Sequence, residues 1–216
     1  MDIVDPRIET YVRSLLDRHD EPVLLEMEAE AKERGFPIVG RTVGVTLEVL
    51  ARSIGARRVC ELGSGFWYSG YWFSRAVGPG GELHLTDGDP ENEKKAIDYL
   101  GRAGLADPMR FHVGDAVESL GGLEGEFDVV YDDIDKEGYP DAWRAASERI
   151  RVGGLYICDN VLWSGRVTGD EPLEKEWERA TTGAIVEHNA LIAADERYLS
   201  TIVPTRDGVM VALRTS

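Results

Sequence analysis

Hydrophobic residues recur at helical spacing in the first part of the chain. Ile8 and Val12 belong to one such series, and residues 46–54 form a second apolar stripe. Between them, the acidic stretch of residues 21–34 also has the pattern of a helix. We therefore expect an N-terminal helical cap over residues 1–55.

After this cap the period changes, and short apolar runs alternate with helical stretches. The five predicted strands contain the sequences RRVCEL, GELHLTD, MRFHVGD, FDVVYDD and GGLYICDN. The helices predicted between and after them cover residues 68–77, 90–103, 115–120, 139–151 and 172–194. Strands that alternate with helices form a parallel sheet through right-handed crossovers. The final runs, YLSTIVP and VMVALR, flank an Asp-Gly turn and predict an antiparallel hairpin. We expect an α/β core over residues 56–216, within one domain of residues 1–216.

Charge and composition narrow the classes of partner. The 216 residues include 40 acidic and 24 basic side chains, a formal net charge of −16. Such a surface repels phosphate backbones and anionic lipid, so we expect neither a nucleic acid nor a membrane as partner. The N-terminal sequence lacks a basic segment followed by an apolar run, so we expect a cytoplasmic protein without a secretory signal. Cys60 and Cys158 lie inside apolar strand patterns, which predicts buried thiols.

Three polar features at successive strand ends favour a nucleoside-containing cofactor. Gly63 and Gly65 follow the first predicted strand, where they let backbone approach a ligand next to a helix N-terminus. Asp87 ends the second strand, where nucleoside-binding α/β folds place a carboxylate against a ribose diol. Asp115 and Ala116 follow the third strand and could contact an adenine edge. Each acid alone is more often a helix cap, so the combination carries the prediction.

The fourth and fifth strands are followed by oxygen-rich groups of a different kind. These are Asp132, Asp133 and Asp135 with Lys136 after one strand, and Asp159 with Asn160 after the other. Because neighbouring parallel strands share one crevice at their carboxyl ends, we expect these groups to converge. Oxygen ligands in a hydrated site suit Mg²⁺ better than zinc. A run of solvated surface acids is the alternative interpretation.

Together these motifs resemble the metal-dependent O-methyltransferases that use S-adenosylmethionine, the family of catechol and caffeoyl-CoA O-methyltransferases. The resemblance covers roughly residues 37–214 and is most specific in DDIDK (132–136) and DNVLWSGRV (159–167). The resemblance also includes the motifs VGRTVG (39–44) and VCELG (59–63) and the GDA turn (114–116). The family has a Rossmann-like class I methyltransferase fold, a mostly parallel seven-stranded sheet with an antiparallel last strand and helices on both faces.

The resemblance also implies roles for individual residues. It implies that Asp133, Asp159 and Asn160 ligate a divalent cation such as Mg²⁺, and that Lys136 is the general base. The residues that it places around S-adenosylmethionine are Val39, Gly40, Glu61, Gly63, Ser69, Asp87, Asp115, Ala116 and Asp133. The implied acceptor is a small phenolic molecule with vicinal hydroxyls, and the implied assembly is a homodimer.

One departure from the family lies in the glycine-rich turn. Trp67 occupies the position at which the family has glycine, directly before the Tyr-Ser pair. If its indole turns outward, it lines the acceptor pocket, and if it turns inward, it obstructs the cofactor site. We expect the outward orientation, because an obstructed site would not need the metal ligands and Lys136. Trp163 and Arg166 are further candidates for acceptor contacts, with loop packing as the alternative.

Three other functions remain open from the sequence. A hydroxylated tRNA base could be the methyl acceptor, although the charge of −16 disfavours this partner. A nicotinamide-dependent oxidoreductase would explain the glycine turn and Asp87, but it would leave residues 132–136 and 159–167 unexplained. A non-catalytic protein of the same fold with an obstructed pocket is supported only by Trp67.

Overall fold

The computed structural model describes residues 3–16, 21–65, 67–170 and 172–216. Its central element is a seven-stranded sheet. Its strands are β1 (Arg58–Leu62), β2 (Glu82–Asp87), β3 (Met109–Val113), β4 (Phe127–Asp132), β5 (Ile150–Cys158), β6 (Tyr198–Val203) and β7 (Val209–Arg214). Their spatial order is β3-β2-β1-β4-β5-β7-β6. The first five strands pair in parallel, whereas β7 is antiparallel to both β5 and β6. The predicted mostly parallel sheet with an antiparallel last strand is therefore confirmed.

Helices cover both faces of this sheet. They are α1 (Pro6–Ser14), α2 (Pro22–Arg34), α3 (Gly40–Ser53), α4 (Tyr68–Val77), α5 (Pro90–Arg102), α6 (Ala116–Gly122), α7 (Tyr139–Ala146) and α8 (Glu176–Ala194). Successive strand residues point to opposite faces. Val59 accordingly joins a core with α2 to α5, and Cys60 joins a second core with α6 to α8. Both cysteines are buried, as predicted.

The largest differences between the predicted and observed helices lie at the ends of α7 and α8. The helix predicted over residues 139–151 ends at Ala146, because Ile150 already pairs with Phe127 as the first residue of β5. The helix predicted from residue 172 begins at Glu176. Among the described residues, no helix combines the length and apolar character needed to cross a membrane.

The end of α2 directs the chain across the carboxyl edge of the sheet. Gly35 terminates the helix in a left-handed conformation with φ of 63°, which glycine adopts without steric penalty. The Phe36 N–H then donates to the Ala31 carbonyl at 2.9 Å. The segment of residues 36–39 runs from this cap to α3 and borders the large cavity described next.

Candidate active site

A cavity of about 980 Å³ lies at the carboxyl ends of the parallel strands. Most of the site residues predicted from the sequence line it, namely Val39, Gly63, Ser69, Asp87, Asp115, Ala116, Asp133, Lys136, Asp159, Asn160 and Trp163. Gly40, Glu61, Trp67 and Arg166 do not belong to the lining. The strand ends thus bring the predicted cofactor groups and the predicted metal ligands into one space.

The glycine turn after β1 is fixed by close packing. A Cβ on Gly63 would lie 2.8 Å from the Asp133 carbonyl oxygen, so no larger residue fits between these strand ends. The Gly65 N–H donates to Oδ2 of Asp87 at 2.8 Å, which ties the turn to the end of β2. Asp87 Oδ1 also accepts from the Asp89 N–H and the Asn92 amide. The carboxylate predicted to hold a ribose is therefore held in place by three donors.

Asp115 caps a helix and also borders the cavity. Its side chain accepts from the Glu118 N–H at 2.8 Å and so forms the N-cap of α6. The residue also lines the cavity next to Ala116. The helix-cap interpretation is therefore confirmed, and Asp115 borders the cavity as well.

Glu61 lies behind the cavity wall as a fully buried carboxylate on β1. The Ser69 hydroxyl donates to Oε1, whereas Oε2 has no hydrogen-bond partner among the described residues. Burial raises the pKa of Glu61 to about 8, and the charges of Asp133 and Asp87 add to this effect. A buried carboxylate oxygen without a partner is costly and is suited to a cationic ligand group. The site therefore fits the ammonium of an amino-acid moiety.

Asp133 and Asp159 form the acidic end of the cavity. Asp159 is 2% exposed, and its Oδ1 accepts from the Asn160 N–H at 2.8 Å. Burial raises the pKa of Asp159 to about 7, and repulsion from Asp133 adds to this shift. Burial also raises the pKa of Asp133. Two carboxylates that repel each other beside an amide oxygen are a donor set that fits a hard divalent cation.

Lys136 is paired with the same acidic group. Its Nζ donates to Asp133 Oδ1 at 2.8 Å and to the Ile134 carbonyl at 3.2 Å. Burial is the largest single influence and lowers the pKa of Lys136, but the charge and the hydrogen bond of Asp133, together with the charges of Cys158 and Asp159, raise the pKa above 10.5. Lys136 is therefore an ammonium while Asp133 remains its counterion.

Asp132 does not converge with the other acids, which corrects that part of the prediction. It is fully buried on the opposite face of the sheet, where the Tyr156 hydroxyl donates to Oδ2 at 2.6 Å. The same hydroxyl lies 3.0 Å from Nε2 of His188. Asp132, Cys158 and His188 are close enough to share an ion, but Tyr156 already joins the acid to the imidazole. This buried network supports the ends of β4 and β5.

Trp67 occupies neither of the positions expected for it. The indole is 0% exposed and stacks on Tyr99 of α5, with ring centroids 5.9 Å apart. It belongs to the core shared by α2, α4 and α5 and not to the cavity lining. The backbone keeps the left-handed conformation suited to glycine, with φ of 46°. The expectation that Trp67 lines the acceptor pocket is therefore wrong.

The loop after β5 places Trp163 at the cavity but not Arg166. Trp163 lines the cavity, and its indole N–H has no hydrogen-bond partner among the described residues. The Arg166 guanidinium lies over the Trp163 ring, 5.9 Å from its centroid. Arg166 thus supports Trp163, which favours the loop-packing interpretation for this residue.

Several residues of the lining were missed in the sequence, and three of them come from elements that follow β5. Trp177 and Thr181 come from α8, and the Thr181 hydroxyl donates to Glu137 beside Lys136. Arg206 comes from the turn between β6 and β7. Helical spacing places Trp177 and Thr181 on one face of α8, but only the packing of that helix shows that this face meets the cavity.

A family model and several known proteins match most of this chain. Residues 18–215 match the family model described as O-methyltransferase. Similar proteins include caffeoyl-CoA O-methyltransferase 1 from Eucalyptus globulus, 30% identical over 94% of this chain and 85% of the relative. A catechol O-methyltransferase from Niastella koreensis is 30% identical over 95% of this chain and 96% of the relative.

Solved structures show the same similarity. The O-methyltransferase TomG from Streptomyces achromogenes, in complex with SAM, is 27% identical with a TM-score of 0.85, covering 97% of this chain and 96% of TomG. The O-methyltransferase from Bacillus cereus, in complex with SAH, is 25% identical with a TM-score of 0.83, covering 96% of this chain and 100% of that one.

Proposed function

This chain belongs to the O-methyltransferase family, and from that premise we propose that it methylates one hydroxyl of a small catechol-like acceptor. The methyl donor in this proposal is S-adenosylmethionine, and a divalent cation such as Mg²⁺ is held by Asp133, Asp159 and Asn160. The observation that carries the proposal is that one cavity is lined both by Asp87, the predicted ribose ligand, and by Asp133 and Lys136, the predicted metal ligand and general base. The first group is called the cofactor half below, and the second the acceptor half.

The cofactor half has chemistry suited to each part of S-adenosylmethionine. The buried Glu61 carboxylate, with one oxygen lacking a partner, fits the amino group of the methionine moiety. Asp87 fits the ribose diol, and Asp115 with Ala116 borders the space for the adenine. Similar proteins solved in complex with SAM and SAH support S-adenosylmethionine as the methyl donor.

The acceptor half can orient and deprotonate a vicinal diol. Asp133, Asp159 and Asn160 would hold a divalent cation, which would supply a Lewis acid that lowers the pKa of an acceptor hydroxyl. Lys136 Nζ would accept the hydroxyl proton as the oxygen forms its bond to the methyl carbon and the bond from that carbon to sulfur breaks. Asp133 cannot then remain the counterion of Lys136, because their ion pair holds the lysine protonated. Trp163 and Val39 would enclose the acceptor ring.

The test combines binding and turnover. S-adenosylhomocysteine should bind in isothermal titration, and methylation of a simple catechol should stop in excess EDTA and return with Mg²⁺. Asp159→Ala should abolish turnover, with an unchanged circular dichroism spectrum as the control for folding. Full activity in EDTA would contradict the metal assignment, and no binding of S-adenosylhomocysteine would contradict methyl transfer.

We also propose that the protein forms a homodimer through its N-terminal region. No residue of α1 is buried, and Ile8, Tyr11 and Leu15 are exposed apolar side chains in and beside it. Sedimentation at micromolar concentration should show twice the chain mass of 23.9 kDa. Ile8→Glu should weaken the association, whereas Val152→Glu, at an exposed apolar residue of β5, should not. A monomer throughout would contradict the proposal.

A further inference from the structure

Arg206 is held in an unusual backbone conformation at the rim of the cavity. It lies in the turn between β6 and β7 with φ of 49°, a left-handed conformation that favours glycine. Its side chain lines the cavity together with Ile38 and Val39. The turn therefore carries an arginine at a position where glycine would be less strained.

Hydrogen bonds fix one edge of the Arg206 guanidinium and leave the other available. Nη1 donates to the Ile38 carbonyl at 2.8 Å and to the Val39 carbonyl. Among the described residues, the hydrogen bonds of this guanidinium are these two from Nη1, and neither involves Nε or Nη2. A guanidinium binds a carboxylate through two parallel N–H groups. The Nε–Nη2 edge of Arg206 is therefore free to bind such a group.

Other arginines of this chain use the same edge for carboxylates. Arg197 binds Asp195 through Nε at 2.9 Å and Nη2 at 2.7 Å. Arg41 binds Glu28 through Nε at 2.7 Å and Nη2 at 3.1 Å. In Arg206 the corresponding edge belongs to a side chain that is already oriented by its contacts with residues 38 and 39.

Arg206 forms no ion pair among the described residues, although its charge acts on the carboxylates of Asp133, Asp159 and Asp207 and partly offsets the rise in their pKa that burial causes. Among the described residues that line the cavity, six are acidic, namely Asp87, Asp115, Asp133, Asp135, Glu137 and Asp159. Two are basic, and of these Lys136 is paired with Asp133. In a chain of net charge −16, an acidic acceptor would be repelled without a local cation.

We propose that Arg206 is a specificity-determining residue that binds a carboxylate of the acceptor, so that catechols with an acidic substituent are preferred. The proposal rests on the methyl transfer proposed above. The hydroxyls would lie at the Asp133–Asp159 end of the cavity, and the carboxylate would lie at the rim beside Val39. The alternative is that Arg206 only fastens residues 38 and 39 over the cofactor.

Two acceptors that differ in one substituent, which is charged in one and neutral in the other, separate carboxylate binding from the fastening of residues 38 and 39. They are protocatechuate and its alcohol analogue, in which a CH₂OH group replaces the carboxylate. Arg206→Gln keeps a donor for the two carbonyls but removes the charge and the paired N–H groups. We expect kcat/KM to fall about tenfold for protocatechuate, mainly through KM, which corresponds to about 1.4 kcal/mol. The alcohol should change less than twofold.

A matched control removes the same charge elsewhere. Arg110 is an exposed residue of β3 that donates only to the carbonyls of Asp107 and Met109, so Arg110→Gln should leave both acceptors unchanged. Equal losses on both acceptors with weaker binding of S-adenosylhomocysteine, or no loss on protocatechuate, would overturn the proposal. No turnover of either acceptor by the parent enzyme would instead overturn the proposed function and this inference with it.

Discussion

Glu61→Gln should make the ligand-free protein more stable and its cofactor binding weaker. The carboxylate is fully buried, and its Oε2 has no partner among the described residues, so ionisation is opposed by burial. The pKa of Glu61 rises from 4.5 to about 8 in the folded protein. The folded state therefore holds a proton that the unfolded state releases, and stability falls as the pH rises from about 4.5 to 8.

The size of this effect follows from the shift in pKa. Each tenfold change in proton affinity corresponds to about 1.4 kcal/mol, so the loss near pH 8 is on the order of 4 kcal/mol. Glutamine does not ionise and should avoid most of this loss. We expect urea unfolding to show Glu61→Gln more stable than the parent at pH 8 and nearly equal to it at pH 5.

Cofactor affinity should change in the opposite direction. In the proposed cofactor site the Glu61 carboxylate is the counterion of the ligand ammonium, so its loss should give at least a tenfold higher Kd for S-adenosylhomocysteine in titration calorimetry, or about 1.4 kcal/mol. Glu48→Gln is a matched control, because Glu48 is also buried but is paired with Arg52 and Arg75 at 2.8 and 3.0 Å. That variant should lose stability at pH 8. A destabilised Glu61→Gln protein with unchanged affinity would refute this reasoning.

Two further substitutions test the roles of Lys136 and Trp67. Lys136→Ala should lower kcat by roughly 10²–10⁴ while the Kd of S-adenosylhomocysteine changes little, and an unchanged kcat would assign the base to another group. Trp67→Gly should lower the free energy of unfolding by about 2–4 kcal/mol, because a buried indole is lost and only part of the cost is offset by relief of the left-handed strain. A large gain in cofactor affinity without loss of stability would contradict the observed packing of Trp67.

Much of the site was predictable because the carboxyl ends of parallel strands meet at one edge of the sheet, however the helices pack on it. Asp87, Asp133 and Asp159 follow three strands of one parallel sheet, and all three line the cavity. The different position of Asp132 also follows from the sequence, once side chains are taken to alternate along β4. Val130 and Asp132 share one face, and Asp133 belongs to the other.

The positions of Trp67 and Arg206 could not be predicted in this way. Trp67 packs on Tyr99, which lies 32 positions later in the sequence, so its location depends on how α5 docks. Arg206 contacts the carbonyls of Ile38 and Val39, which lie near the other end of the chain. Local patterns carry no information about such contacts.

Backbone strain is concentrated at the edge of the sheet that carries the cavity. In the described part of the chain, the non-glycine residues with left-handed φ are Trp67, Asn160, Trp163, Ser164 and Arg206. They follow β1, β5 and β6, which all run in one direction, so their loops lie at the same edge. Each costs roughly 1–3 kcal/mol relative to a relaxed conformation. Because Asn160, Trp163 and Arg206 line the cavity, the packing of the rest of the fold must stabilise these conformations at the edge that carries the cavity.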